Sequence, residues 1–142
     1  MMPQKSTDDL YQELMGTSKL DAYIKNNQEQ FSNQNVAELL TKLYENYPLT
    51  KAELARQSEM SEVYLHQVFS GRRKASRDRL LCLCIGMKLS LEDSQHLLKC
   101  AGYAQLYPKS RRDTIISFGL LHGFSLYEVN DKLFAENEKT LC

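Results

Sequence analysis

Five basic side chains fall within eight residues in the middle of this 142-residue chain. They are Arg72, Arg73, Lys74, Arg77 and Arg79. Cations at this density can each neutralise one group of a polyanion and release its counterions, so the run has the composition of a phosphate-binding site. A plainer interpretation stays open, because most charge runs are solvated loops.

The basic side chains are concentrated in one part of a chain whose formal net charge is zero. Residues 48–112 hold 12 basic and 6 acidic side chains, a net charge of +6. Residues 1–47 hold 4 and 7, and residues 113–142 hold 2 and 5, so each flank has a net charge of −3. A neutral protein needs such a distribution if one face meets a polyanion, although a solvated charged surface has the same composition.

The residue types that most often serve catalysis or hold metal ions are too scattered to form a recognisable site. His66, His96 and His122 are far apart, and no nucleophile motif, zinc motif or phosphate-cradling glycine loop occurs. Neither C-x-x-C spacing nor a nearby histidine accompanies the cysteines, which are Cys82, Cys84, Cys100 and Cys142. We therefore expect a protein that is not an enzyme, with reduced thiols and with no metal or cofactor.

Length and hydropathy limit the class of protein further. One compact domain is expected from 142 residues, and no apolar run approaches the roughly 20 residues that cross a bilayer. The start MMPQKSTDDLYQ lacks the apolar segment of a secretory signal. We therefore expect a cytoplasmic protein with no membrane partner.

The apolar residues predict an all-α fold. They recur three and four positions apart, and no stretch alternates with the period of two of a half-buried strand. The pattern places helices at 7–15, 18–30, 34–46, 50–58, 61–69, 76–87, 90–101, 109–122 and 125–136. Thr50 with Glu53, and Ser125 with Glu128, have the spacing of the capping box, in which a hydroxyl and a carboxylate satisfy the first backbone donors of a helix.

Two stretches of the second half resemble one another at an offset of 35 residues. LSLEDSQHLLKCAG at 89–102 and FSLYEVNDKLFAEN at 124–137 share a serine cap, a following leucine and late apolar residues. Each follows an apolar helix, which predicts two similar helical hairpins stacked on one another. Chance similarity between short amphipathic helices is the alternative.

The segment 49–81 holds two short helices separated by only a few residues. Ala55 is small enough to let the two helices cross closely, and Leu65 with Val68 forms the buried face of the second helix. The opposite face of the second helix is left free. This is the sequence pattern of a helix-turn-helix, whose second helix can enter a DNA major groove.

Residues 34–101 resemble the five-helix lambda-repressor-like, or Xre-type, DNA-binding domain. The features that carry the resemblance are LTKAELA, the apolar Met60, YLHQVFSG, the basic loop, and RDRLLCLCIGMKLSLED in the place of the family's fourth and fifth helices. The resemblance covers about half of the chain. It implies a DNA-binding domain at 34–102, an N-terminal helical extension at 1–33 and a C-terminal helical extension at 103–142.

The resemblance also assigns contacts to double-stranded DNA. The helix 61–69 would read base edges through its outward side chains, which are Glu62, Val63, His66 and Gln67. Gln67 can pair bidentately with adenine, Glu62 can accept from the cytosine amino group, and Val63 can touch a thymine methyl. The basic loop 70–77 and its neighbours would hold phosphates through Thr50, Lys51, Tyr64, Ser70, Arg72, Arg73, Lys74 and Arg77.

Two carboxylates depart from the family pattern. Glu59 stands in the turn where a glycine is usual, so it must either adopt a positive φ or sit in a turn that is built differently. Glu62 points an acid at the expected DNA surface, which repels phosphates unless a cytosine accepts it.

The resemblance implies a sequence-specific DNA-binding transcriptional regulator, most simply a repressor that occupies a promoter. Regulators of this kind commonly pair through elements outside the reading helix, so a homodimer is expected. The C-terminal extension would carry the dimer contact or hold a protein partner. The alternative, which Glu59 and Glu62 favour, is a protein-interaction module that keeps the helix-turn-helix fold and does not bind DNA.

Overall fold

The computed structural model describes residues 6–16, 20 and 33–142, and all regular structure in this part of the chain is α-helical, as predicted. Eight helices are described: α1 (Thr7–Gly16), α2 (Gln34–Tyr44), α3 (Lys51–Gln57), α4 (Glu62–Phe69), α5 (Arg77–Gly86), α6 (Leu91–Cys100), α7 (Arg111–Leu121) and α8 (Leu126–Ala135). The predicted helix at 18–30 lies almost entirely outside the described residues. Every described helix is too short or too polar to cross a lipid bilayer.

Hydroxyl side chains begin most of these helices. Each accepts a hydrogen bond from the backbone N–H three residues later, and they are Thr50, Ser61, Ser76, Ser90, Ser110 and Ser125. The predicted capping box is confirmed at Ser125 and Glu128, where both reciprocal bonds are present. At Thr50 only the hydroxyl cap forms, because the Glu53 carboxylate pairs with Arg56 instead of the backbone.

In the turn after α3, Glu59 adopts the left-handed backbone conformation, which is the first of the two possibilities expected for it. Glu59 has φ of 52°, its backbone N–H donates to the carbonyl of Arg56, and the next N–H, that of Met60, donates to Ala55. These two bonds form a Schellman motif, which satisfies the last carbonyls of a helix. The fold therefore places a carboxylate residue in a conformation that glycine adopts at lower cost.

Helix α5 lies at the centre of the core. Its residues from Leu80 to Gly86 are all buried, and the helix contacts α3, α6, α7 and α8. A helix that is apolar all round its surface suits this central position. Gly86 fits there because a Cβ would stand 2.2 Å from the Ser58 Oγ atom at the end of α3.

The cysteines are free thiols in different environments. Cys82 and Cys84 are buried in α5, whereas Cys100 is half-buried and Cys142 is exposed. Burial raises the pKa of the Cys84 thiol to about 12, and burial likewise raises the pKa of Cys82. Both buried thiols therefore stay protonated at neutral pH and serve as core side chains.

Two similar units form the second half of the chain. Unit A comprises residues 77–107 and unit B residues 112–142; each is a helical hairpin, α5–α6 or α7–α8, followed by an extended segment. The hairpins pack on one another, since α5 contacts both α7 and α8 while α6 contacts α7. The predicted stacking of two hairpins is confirmed.

Corresponding residues of the two units make corresponding contacts. In unit A, the Gln95 side chain accepts a hydrogen bond from the backbone N–H of Leu106 at 2.7 Å. In unit B, Asn130 stands at the same position and accepts from the backbone N–H of Leu141 at 2.8 Å. The correspondence thus continues into the extended segments, beyond the stretches in which the sequence shows it.

Two ion pairs join the units reciprocally. Arg77 of unit A pairs with Asp113 of unit B at 3.0 Å, and Arg112 of unit B pairs with Asp78 of unit A at 3.1 Å. Each arginine also donates to two carbonyls in the extended segment of its own unit. Because the arginine of either unit pairs with the aspartate of the other, an approximate two-fold axis relates them.

Candidate nucleic-acid interface

Helix α4 presents one apolar face to the core and one polar face to solvent. Leu65, Val68 and Phe69 are buried, whereas Glu62 and Val63 are exposed, Val63 to 68%. The helix begins at a Ser61 cap whose hydroxyl accepts from the Tyr64 backbone. A rigid helix with an outward face of this kind can be laid into a groove without disturbing the core.

The exposed face begins with an acid and a histidine one turn apart. Glu62 Oε1 lies 3.6 Å from His66 Nε2, and more than half of each side chain is exposed. Both positions face outward, as the sequence analysis placed them. A protonated imidazole would neutralise the carboxylate at this end of the face.

Gln67 is held in place by the basic loop. Its side-chain oxygen accepts a hydrogen bond from Arg73 Nε at 2.9 Å, and the residue is half-buried. This bond fixes the orientation of the amide. Among the described residues, one lone pair of the oxygen and both amide N–H groups have no hydrogen-bond partner, so the amide can pair bidentately with a base edge.

Two guanidinium groups lie against the ring of Tyr64. The central carbon of Arg73 is 5.5 Å from the ring centroid and that of Arg79 is 5.2 Å away. These are cation–π distances, and Tyr64 therefore positions two cations beside α4. The role of Arg79 could not be predicted from its place in the basic run, because its contact with Tyr64 depends on how α5 lies beside α4.

The loop after α4 turns at Gly71, which has φ of 81°. The Gln34 amide of α2 donates to the carbonyl of Ser70 at 3.1 Å and packs so closely that a Cβ on Gly71 would lie 2.3 Å from it. Arg72 is exposed beyond this turn, and Lys74 places its ammonium 5.2 Å from the ring of Tyr103. The loop backbone is anchored while its cations face outward.

The predicted phosphate contacts at the start of α3 have a different environment. Thr50 caps the helix, with its hydroxyl accepting from the backbone N–H of Glu53. The Lys51 ammonium lies 4.9 Å from the ring centroid of Phe69 and 5.6 Å from that of Tyr44. Lys51 is half-buried, with its charge against two aromatic faces.

Arg77 does not belong to the outward set in which the sequence analysis placed it. Its guanidinium pairs with Asp113 and donates to the carbonyls of Ala104 and Gln105, and only 22% of its side chain is exposed. All this hydrogen bonding faces the junction of units A and B. We therefore treat Arg77 as a structural residue and leave it out of the interface proposed below.

Glu59 is directed toward the end of unit B. The Cys142 thiol donates to Glu59 Oε2 at 3.0 Å and accepts from the Asn130 amide at 3.2 Å. Burial is the largest cause of a raised pKa at the Cys142 thiol, and the hydrogen bond to Glu59 raises this pKa further. The Glu59 carboxylate is thus engaged by unit B, whereas Glu62 stays on the exposed face of α4.

Within the described residues, no group of three or more histidine, cysteine, aspartate or glutamate side chains is placed to hold a metal ion.

The candidate interface consists of the exposed side of α4, the loop 70–74 and Arg79. Comparison of the chain with protein-family models, with curated proteins and with solved structures gives no match.

Proposed function

We propose that the protein is a sequence-specific regulator of transcription that binds double-stranded DNA. Residues 34–102 act as a lambda-repressor-like helix-turn-helix domain, with α4 in the major groove and the basic loop on the phosphate backbone. The resemblance of the sequence supports this assignment, and so does the exposed polar face of α4 beside a cluster of cations.

The arrangement of Arg73 and Arg79 around Tyr64 is the observation that carries the proposal. Neither guanidinium has a carboxylate partner among the described residues, whereas Arg77 and Arg112 are both paired with aspartates. Two like charges that share one ring repel each other unless an anion is added. A DNA phosphate supplies that anion, and the planar guanidinium is well suited to bind it.

The outward side chains of α4 contact the base edges. Gln67, oriented by Arg73, pairs with an adenine, and Glu62 accepts from a cytosine amino group. Val63 offers an exposed apolar surface to a thymine methyl, and His66 contacts a base or a phosphate. Phosphates are held by Arg72, Arg73, Lys74 and Arg79, with Thr50, Lys51, Tyr64 and Ser70 as flanking contacts.

A regulator of this kind reads two half-sites with two copies of the reading helix. The protein accordingly acts as a homodimer, and it represses by occupying a promoter.

Selection of binding sites from a pool of random duplexes tests the proposal. The full chain is expected to enrich one short motif, and Gln67→Ala is expected to lose preference at a single adenine of it, by about 1–3 kcal/mol. His96→Ala, an exposed change on α6, is the control and should enrich the same motif. Recovery of no motif by a folded protein would rule out sequence-specific reading.

The second candidate is a protein-interaction module with the same fold. The exposed Val63 together with the Glu62 carboxylate favours it, because an apolar side chain and an acid on one helix face suit a protein partner as well as a base. In that case the selection enriches nothing and the protein stays folded.

A further inference from the structure

Helices from the first half of the chain pack on unit A. The apolar residues Leu80 and Leu97 of the α5–α6 hairpin are almost fully buried. Val36 of α2 and Val68 of α4 line a cavity of about 250 Å³ together with Leu80, and α2 packs directly on α6. An amphipathic helix therefore covers the hairpin surface of unit A.

The matching surface of unit B is not covered by the part of the chain that the structure describes. A groove of about 650 Å³ runs along α7 and α8, and all the residues that line it lie between Pro108 and Glu136. Ile115, Phe118 and Phe124 supply its apolar surface, and Phe118 is 50% exposed. Ile115 stands where unit A has Leu80, so a position that borders a cavity of about 250 Å³ beside α2 and α4 in one unit borders a larger groove in the other.

The rim of this groove is basic. Lys109, Arg111 and Lys132 line it with a single acid, Glu136. Lys109 and Arg111 make no ion pair within the described part of the chain. The groove thus combines an apolar surface with an excess of positive charge, which suits an amphipathic helix that carries acids.

Helix α1 has that chemistry. It contains Asp8, Asp9 and Glu13 and no basic residue. Tyr11 on the same helix is 60% exposed, and none of the described side chains of α1 is part of the core. Asp8 and Asp9 therefore offer acidic charge, and Tyr11 offers an aromatic ring that lies outside the core formed by the described residues.

We propose that α1 of a second copy of this chain docks in the groove of unit B, with the exchange made in both directions across a two-fold axis. The described residues of a single copy leave both the groove and Tyr11 uncovered, whereas a reciprocal exchange covers the groove and Tyr11 of both copies. This inference rests on the proposed function, because that function requires two copies of the reading helix and the exchange would hold two copies together. The groove and α1 themselves involve no DNA.

Sedimentation equilibrium of the full chain without DNA tests the contact. We expect a dimer whose dissociation constant rises about tenfold or more in Lys109→Glu/Arg111→Glu and also rises in Asp8→Asn/Asp9→Asn. In the charge-reversed groove the effect of the α1 change should invert, because removing acids then relieves repulsion. Lys99→Glu/Lys139→Glu, an equal charge reversal on exposed side chains outside the groove, should leave the constant unchanged.

A chain that is monomeric at about 100 µM overturns the inference, as does a dimer that is indifferent to the groove variants. Circular dichroism of each variant confirms that the helices are retained. A parallel titration with a duplex separates this result from the proposed function. Duplex binding by a chain that fails the dimer test overturns the exchange alone, and a dimer that behaves as expected without binding any duplex overturns the DNA assignment alone.

Discussion

Arg73 and Arg77 stand four residues apart in one basic run, yet their surroundings give them opposite roles. Arg73 lies on the ring of Tyr64 and orients Gln67, and no carboxylate of the described residues pairs with it. Arg77 pairs with Asp113, which is buried and also accepts from the backbone N–H of Tyr107. The first is available to an anion, and the second closes the junction between the two units.

The Arg77→Ala change is expected to lower the free energy of unfolding by about 3 kcal/mol, because it leaves Asp113 as a buried charge without its partner. Arg72→Ala removes an exposed cation whose side chain makes no hydrogen bond or ion pair with the described residues, and it should change stability by less than about 0.5 kcal/mol. Urea unfolding followed by circular dichroism measures both values. Equal and small effects would contradict the structural role of Arg77.

Arg73→Lys keeps the charge of the loop and removes the planar group that holds Gln67. We expect non-specific duplex binding to change little, while discrimination at the adenine read by Gln67 falls by about 1 kcal/mol or more. Arg72→Lys, at an exposed position without such a contact, should leave both quantities unchanged. Competition titrations with matched and mismatched duplexes measure the difference, and the same loss in both variants would show that Arg73 acts only as a charge.

At the scale of elements, close approach and turn geometry set the position of α4. Gly86 of α5 lies against Ser58 at the end of α3, and the Ser58 Oγ atom is buried without a hydrogen-bond partner among the described residues. The next residue, Glu59, makes the left-handed turn from which α4 departs. Ser58 and Glu59 both lie in the short turn between α3 and α4, which are the two helices of the proposed helix-turn-helix.

The Gly86→Ala change is expected to destabilise the fold by about 1–3 kcal/mol, because the added Cβ would stand 2.2 Å from Ser58 Oγ. Ser58→Gly should recover part of this loss, since it removes the atom that the new methyl group meets. A double-mutant cycle on thermal or urea unfolding measures the coupling. Strictly additive effects would show that the two residues do not determine the approach of α3 to α5.

The Glu59→Gly change is expected to raise the free energy of unfolding by about 1 kcal/mol. Glycine adopts φ of 52° without the steric cost that a side chain incurs, and the change removes an acid from a helix C-terminus. The lost contact with Cys142 is exposed and offsets little of this gain. A lower unfolding midpoint in this variant would mean that the contact with unit B outweighs the backbone strain.

The helices from α2 to α8 could be predicted from the sequence because local signals define them. Apolar spacing predicted each helix, and all starts agree within about one residue except that of α7, which begins at Arg111 and was predicted to begin at 109. The roles of Arg77 and Gly86 could not be predicted, because they depend on Asp113 and Ser58, which lie at least 28 residues away in the chain. Local patterns carry no information on such partners until the helices pack.

At the scale of the whole molecule, the proposed reading domain and the paired units share one core. Helix α5 belongs to unit A and also packs against α3, so the hairpin of unit A supports the helix-turn-helix arrangement on one side and unit B on the other. The charge of the chain is unevenly distributed along the sequence. The basic excess lies at 48–112, and the acidic flanks lie outside it. A polyanion that approaches the loop 70–74 therefore meets the basic middle of the chain.

The central claim is that the exposed loop cations bind DNA phosphates, and a salt series on duplex binding tests it most directly. Fluorescence anisotropy of labelled duplexes would be recorded with the full chain, with Arg72→Ala/Lys74→Ala and with Lys99→Ala/Lys139→Ala, which removes the same charge elsewhere. The duplexes would be one from the protein's own promoter and one of scrambled sequence.

We predict tighter binding to the promoter duplex and an affinity that falls steeply with salt. The slope of log affinity against log salt should become shallower by about 2 in Arg72→Ala/Lys74→Ala, and it should be unchanged in Lys99→Ala/Lys139→Ala. Equal slopes in the two variants, or a folded protein that binds neither duplex at low salt, would contradict the account.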